Sequence, residues 1–352
     1  MTEGRDPNIT IGVVIVAFHS QPVLENCLVS LAASNHASLK IVVCDNASPD
    51  ASADVVRRWA AESPFVANTG TGKDGGFLEV SLEEGLTFDG RDLPACTLLK
   101  SSTNLGFAGG VNAGLKLLRQ DPEVSLFWVL NPDTEVPAET ASIYASKAVA
   151  GDVGLMGGRI IYREAPNRVQ SDGGRVGRWS GICRNVNQGV DPGEADPPAG
   201  DSLDFLMGAN IVASRAFLDQ AGLMQEDYFL YYEEVDWAFR RGHLPLDFIP
   251  EAYVYHHGGT AIGTGNTNRR ASPFANYFNY RNRMWFVARF KAGVLPFAYA
   301  ISMAKVLKLI LQGGLDEAWA AFCGLNQLPP PPDIAAKISP DAAERAFGRK
   351  SK

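Results

Sequence analysis

The chain has 352 residues, 46% of them hydrophobic and 20% charged, with a formal net charge of −7. That is enough chain for a sizeable core in one large or two smaller domains, and the acidic balance argues against a general nucleic-acid binder. Five cysteines (Cys27, Cys44, Cys96, Cys183 and Cys323) include no CxxC pair. They read as reduced thiols, which excludes a zinc site or a disulfide framework. The opening "MTEGRDPNIT" has no apolar signal-peptide core, so a cytoplasmic location is expected.

The first half alternates strand and helix. "IGVVIVAF" (Ile11–Phe18) and "KIVVCD" (Lys40–Asp45) are nearly unbroken apolar runs, as expected of strands covered on both faces. Helices are expected from Pro22 to about Ala33 and over "PDASADVVRRWAAE". "ACTLLK" is a further strand, Gly109–Arg119 a helix, and Ser125–Asn131 another strand. Such alternation predicts an α/β fold around a mostly parallel sheet, in which ligands lie at the carboxyl ends of the strands. From Val153 to about Asp204 short strands and turns elaborate the same sheet. Helix returns at Ser214–Ala221 and in "YFLYYEEVDWAFRRG" (Tyr228–Gly242), followed by the strand-like "LDFIPEAYVYHH".

Several motifs admit both a structural and a chemical reading. "GTGKDG" (Gly70–Gly75) matches a dinucleotide fingerprint but lacks the strand before it and the helix after it, so it reads as a loop. "CDNASPD" puts Asp45 at a strand end, where it either forms an Asx turn or accepts a hydrogen bond from a nucleobase. "NLGFAGGVNAGL" (Asn104–Leu115) is either a helix start that packs closely or, as its glycine density favours, a backbone cradle for a diphosphate. "FWVLNPDTEVP" puts Asp133 just beyond a buried strand, where a carboxylate and phosphate oxygens can share a divalent cation. In the opening of "YFLYYEEVDW", Glu233, Glu234 and Asp236 are crowded among aromatic residues. Like charges resist sharing a dry pocket, so either the acids line the wet face of a helix or something positive meets them.

In order and spacing these pieces, with "FLMGANIVASRAF" and "VYHHGG", resemble the family 2 inverting glycosyltransferases, in particular the bacterial rhamnosyltransferase-like branch that builds surface polysaccharides. The likeness runs from about Ile11 to Gly259. It implies a GT-A fold, a nucleotide-sugar donor and Mg2+ or Mn2+. By position, Ala17 and Asp45 would contact nucleobase and ribose, and Asn104 and Gly106 would line the nucleotide pocket. Asn131 and Asp133 stand at the family's DxD motif, with Asn131 a departure from it, Asp133 the metal-binding acid and His256 a further metal contact. Glu234 would be the general base, with Glu233 and Asp236 beside it raising its pKa, orienting the acceptor or holding the helix against Arg240. Tyr231, Tyr232 and Trp237 would exclude water and offer flat faces to a sugar. The implied activity is transfer of a hexose, L-rhamnose from a dTDP donor, to a lipid-linked or polysaccharide acceptor in cell-surface glycan synthesis. A galactofuranosyl- or other hexosyltransferase is the alternative, as is a catalytically silent sugar-nucleotide-binding subunit.

From Arg269 to Leu315 there are eight basic residues and no acidic one, interleaved with aromatics. Two lysines within "VLPFAYAISMAKVLKLIL" argue against a membrane span, and the segment reads as a basic amphipathic region on an anionic membrane. Packing against a second copy of the chain is the alternative. The expected organisation is a catalytic domain over residues 1–268, membrane-associating helices over 269–328, and a Pro-rich linker and weakly structured tail over 329–352. The protein would then be cytoplasmic and peripheral on the inner face of the cell membrane.

Overall fold

The computed structural model describes residues 9–36, 38–68, 76–87, 93–257 and 270–348. The Gly70–Gly75 loop and the glycines after His257 lie outside them. In chain order the first half is β1 (Thr10–Ala17), α1 (Leu24–Ala32), β2 (Leu39–Asn46), α2 (Ser52–Glu62), α3 (Pro64–Asn68), β3 (Phe77–Ser81) and α4 (Leu82–Thr87). Next come β4 (Cys96–Ser101), α5 (Gly106–Arg119), β5 (Val124–Leu130), β6 (Thr134–Glu135), α6 (Thr140–Ala150), β7 (Leu155–Tyr162) and β8 (Val169–Ser171). The hairpin β9 (Gly174–Val176) and β10 (Cys183–Asn185) precedes β11 (Asn210–Ser214), α7 (Arg215–Ala221), α8 (Glu233–Phe239) and β12 (Leu246–His256). The chain closes with α9 (Pro273–Phe290), α10 (Leu295–Leu311), α11 (Leu315–Leu325), α12 (Pro332–Ala335) and α13 (Pro340–Phe347).

The main sheet runs β3-β4-β2-β1-β5-β11-β7-β12-β6, with β8 paired to β7. Strands β3, β4, β2, β1 and β5 are mutually parallel, whereas β11 runs antiparallel to both β5 and β7. The apolar runs of β1, β2 and β5 are buried because helices cover both faces. One layer contains α1, α2 and α6, and the other α5, α7, α8 and α9.

The glycines of α5 explain how closely it lies on the sheet. A Cβ at Gly110 would stand 2.6 Å from Val16, and one at Gly114 would stand 2.6 Å from Val14. These residues serve helix–strand packing, so the diphosphate-cradle reading of that stretch is corrected. The first amides are also already used: Leu105 N–H donates to Asn46 Oδ1 (2.9 Å), Gly106 N–H to Asn104 Oδ1 (2.9 Å) and Phe107 N–H to the Phe229 carbonyl (2.8 Å).

The C-terminal third departs from expectation in two places. Helix α9 is not a surface element: Phe278, Arg281, Asn282, Arg283 and Phe286 are buried, so two of its three arginines face inward and only Arg289 is exposed. It is buried on most sides, with Asn276, Arg281, Asn282 and Arg283 among the buried residues, so the helix is enclosed by protein despite its polar content. The tail expected to be weakly structured instead forms α12 and α13. Each begins at a proline, Pro332 and Pro340, where the missing N–H costs nothing. Ile334, Ile338, Ala342 and Ala346 recur every fourth residue and bury against Phe229, Tyr277 and Phe278. The tail therefore closes a third core directly over the acidic segment.

Candidate functional site

The sequence-predicted residues form two clusters, one at the carboxyl ends of strands and one at the start of α8. The first lies after β5 and at the end of β12. His256 Nε2 stands 3.1 Å from Asp133 Oδ1 and 3.1 Å from Asn131 Nδ2. On its other side His256 Nδ1 lies 2.8 Å from Gln170 Oε1, an oxygen that can only accept. Nδ1 is therefore the protonated nitrogen in that contact, and Nε2 is aimed at Asp133. Gln170 was not foreseen from the sequence, because only the β7–β8 pairing brings it here.

This pair fits a divalent cation. Two donors on adjacent vertices of an octahedron with bonds of about 2.1 Å lie about 3 Å apart, close to the observed separation. Among the described residues no group of three or more His, Cys, Asp or Glu could hold a metal ion. Asp133 and His256 would thus supply two positions, and further oxygens would have to come from a ligand. His257 is set apart, with Nδ1 at 2.6 Å from Glu164 Oε1.

Nearby strand ends carry the residues expected to meet a nucleotide. Ala17 and Asp45 are register partners at the ends of β1 and β2. The Ala17 side chain is buried, which leaves only its backbone for a ligand. Asp45 Oδ1 accepts from Ser48 N–H at 3.1 Å, so the Asx turn is real, and burial raises the Asp45 pKa. Asn104 and Gly106 are tied together by Asn46, whose Nδ2 donates to Asn104 Oδ1 (3.1 Å) and to the Gly106 carbonyl (3.0 Å). Gly106 has φ +72, and a Cβ there would meet the Phe229 carbonyl at 2.5 Å. This one glycine couples the region around Asn46 and Asn104 to the acidic segment.

The acidic segment is the second cluster. Phe229, Tyr231 and Tyr232 all have positive φ (61, 68 and 73), unusual for bulky residues and a sign of a constrained site. The turn is gripped by α9. Asn282 Nδ2 donates to the carbonyls of Tyr228 (2.9 Å), Leu230 (2.6 Å) and Tyr231 (2.9 Å), and Arg281 donates to the Tyr228 carbonyl at 2.9 Å. Arg281 also reaches the Ala346 carbonyl, which links α13 to the same turn.

The three carboxylates that follow have different surroundings. Asp236 is fully buried and met by Arg240 Nε (2.7 Å), Arg289 (2.8 Å) and the Tyr228 hydroxyl (3.1 Å). It is an anchor, and its grouping with the catalytic residues is corrected. Among the described residues Glu233 and Glu234 lack such neighbours: one carboxylate oxygen of each, with the Tyr231 hydroxyl, is buried without a hydrogen-bond partner there. Burial pushes Glu234 up to about 7 despite opposing backbone N–H groups, and burial and then Glu234 push Glu233 well above the usual range. Orphaned buried polar atoms are rare in folded proteins, and both glutamates lie near enough to Tyr231 to raise its hydroxyl pKa after burial does.

The aromatic residues fare differently from expectation. Trp237 is fully buried, packs edge-on against Phe217 at 5.0 Å and donates to the Gly222 carbonyl at 2.8 Å. It is core, because position 237 lies on the inner side of α8, and it cannot face a sugar. Tyr232 is likewise buried, its hydroxyl donating to the Gly181 carbonyl at 2.9 Å.

Residues 12–74 match the family model described as glycosyl transferase family 2. A low-salt glycan biosynthesis hexosyltransferase of Haloferax volcanii is 25% identical over 189 residues, covering 53% of this chain and 58% of that protein. The chain thus spans little more than half the length of that curated relative. Among solved structures, a mannosyltransferase from Pyrobaculum calidifontis in complex with GDP-Man and Mn2+ superposes with a TM-score of 0.51 at 16% identity, covering 96% of this chain and 81% of that one. TarS 1–349 of S. aureus in complex with UDP-GlcNAc gives 0.51 at 13% identity, covering 96% and 84%. The fold is the GT-A fold.

Asn282→Ala should lower the unfolding free energy by about 1–3 kcal/mol, because buried carbonyls of the turn lose their donor. Urea denaturation at neutral pH measures it, and an unchanged midpoint would show that the turn holds itself.

The raised pKa of Glu234 has a signed consequence. The fold favours the protonated carboxyl, so this contribution is complete below the ordinary value of 4.5 and is lost as pH climbs through about 7. Glu234→Gln should therefore gain stability relative to the parent between pH 5 and pH 8. A difference in melting temperature that stays constant over that window would contradict the assignment.

Proposed function

We propose that the protein is an inverting glycosyltransferase that uses a nucleotide-sugar donor, with Glu234 as general base. The observation that carries this reading is the buried, unpartnered carboxylate oxygen of Glu234, raised to about 7 and held on a constrained turn. A base near neutrality both accepts and releases protons efficiently. In a single displacement the acceptor hydroxyl attacks the anomeric carbon, the bond to the diphosphate breaks, and the hydroxyl proton passes to Glu234. Glu233, more reluctant to ionise, stays protonated and can donate a hydrogen bond to the acceptor. Asp133 and His256 would hold Mg2+ or Mn2+, which supplies charge neutralisation for the departing diphosphate. Asp45 and the backbone of Ala17 would meet the nucleoside. These residues do not name the sugar; the resemblance of the ordered motifs supports L-rhamnose from dTDP-rhamnose, and the hexosyltransferase likeness supports the hexose class.

Peripheral membrane association through α10 and α11 belongs to the same reading. Residues Ala292–Leu311 are apolar and long enough to cross a membrane, with mean hydropathy 1.7. Yet Ala298, Ser302 and Val306 form a stripe buried against protein, with Arg283 donating to Ser302 Oγ at 2.8 Å. The opposite side exposes Phe297, Ile301, Leu307, Ile310 and Leu311, the last 87% exposed, and continues into Leu315 and Trp319. A helix seated by one stripe and bare on the other suits an orientation lying in the membrane surface. Acceptors of cell-surface glycan assembly would be presented there.

Donor and acceptor panels followed by mass spectrometry test the transfer. Glu234→Gln should lower transfer about 10²–10⁴-fold with donor affinity nearly constant. Asp133→Ala should abolish the cation dependence of nucleoside diphosphate binding in calorimetry. Normal turnover by Glu234→Gln would remove it as the base.

For the membrane, vesicle flotation of the full chain is compared with the triple variant Phe297→Ser, Leu307→Ser, Leu311→Ser. The variant should stay in the soluble fraction. If it floats like the parent, the bare face is not the membrane contact.

A further inference from the structure

The hairpin β9–β10 carries a charge arrangement that the transfer reading leaves unexplained. Arg175 and Arg184 are direct cross-strand partners, and like charges in that position destabilise a ladder. Arg175 donates to Ser202 through its carbonyl (2.9 Å) and hydroxyl (3.1 Å). Arg178 and Arg184 are exposed and have no carboxylate partner among the described residues; Arg178 lies over the Trp179 ring. All three arginines line one cavity of about 590 Å³ together with Trp179, Asn185 and Ile301. In a chain of net charge −7, so many unpaired cations around one cavity call for an anion.

Two neighbours specify which anion. On one side the cavity opens onto the bare face of α10: Ile301 forms part of its wall, and Trp179 packs edge-on against Phe297 at 5.5 Å. Lys305 of the same helix adds positive charge, its pKa lowered by burial and then by Arg283, Arg184 and Lys308. On the other side the hairpin rests on the acidic segment: the Gly181 carbonyl accepts from Tyr232, and the thiol of the half-buried Cys183 is raised first by desolvation and then by Glu234. A ligand here meets apolar surface, then arginines, then the base.

We propose that this hairpin and α10 bind the phosphate or diphosphate headgroup of a lipid-linked acceptor. The tail lies along the apolar face of α10 in the membrane, the headgroup pairs with Arg178 and Arg184, and the hydroxyl-bearing end extends toward Glu234. Guanidinium forks suit phosphate oxygens in two-point contacts. The proposal rests on the transfer reading for the direction of the acceptor, but its binding step needs no turnover.

The test is co-sedimentation of the full chain with three vesicle types: neutral phosphatidylcholine alone, the same lipid doped with a long-chain alkyl diphosphate, and the same lipid doped with phosphatidylglycerol to equal charge. The diphosphate vesicles should bind most tightly. The double variant R178S/R184S should lose about tenfold or more of that affinity, since each basic residue near an anionic surface contributes about 1 kcal/mol. Inorganic pyrophosphate at equal concentration should compete poorly, because it lacks the tail. Equal binding to phosphatidylglycerol would show a bulk anionic surface and overturn the site, and full competition by inorganic pyrophosphate would overturn the lipid. Should the double variant not fold, R184K keeps the charge but loses the fork, and undiminished selectivity for diphosphate in it would overturn the two-point contact. Nucleotide-sugar hydrolysis by the parent, scored separately, decides the transfer reading independently of these outcomes.

Discussion

The structure turns on the grip of Asn282 on the chain between Tyr228 and Tyr231. One side-chain amide has two N–H groups, yet three carbonyls converge on it, and Arg281 adds a further donor to the first. These bonds hold a turn with three bulky residues at positive φ, a conformation costing on the order of 1–3 kcal/mol per residue. Without that support the turn would relax, and α8 would begin with a different orientation. The third core formed by α9, α12 and α13 is what fixes Asn282 in place. The C-terminal third is thus part of the site, although it supplies none of the residues assigned to chemistry.

Much of this was legible in the sequence, and for physical reasons. Strands buried on both faces read as unbroken apolar runs, so β1, β2 and β5 stood out, and an α/β sheet puts functional side chains at their carboxyl ends. Asp133 and His256 could be placed at such ends, and the structure brings them within 3.1 Å. What the sequence obscured depends on contacts distant along the chain. Gln170 reaches His256 across 86 residues, and Asn282 reaches Tyr228 across 54. Neither spacing leaves a local pattern.

The misreadings share a cause. Glycines in α5 and arginines in α9 were judged by residue type, glycine as a cradle and arginine as a surface charge. In the fold, Gly110 and Gly114 are determined by the approach of Val16 and Val14. Arg281 is buried because its planar cation stacks on Trp285 at 4.4 Å and Phe278 at 4.7 Å while its donors meet carbonyls. A lysine could not make both kinds of contact. Trp237 reads as a sugar contact from its place beside the acids, but in the fold it is fully buried against Phe217.

The crowding of carboxylates in "EEVD" resolves through unequal partnership. Positive charge does enter this region, and among the described residues it is delivered to Asp236, by Arg240 and Arg289. That pairing keeps α8 anchored and, among the described residues, leaves the two glutamates without a salt bridge. Burial then acts on them opposed by backbone N–H groups, and Glu234 makes ionisation of Glu233 more costly still. An arginine near Glu234 would have kept it ionised and weakly basic. Its displacement onto Asp236 lets one short helix carry both an anchor and a titratable carboxyl, two residues apart.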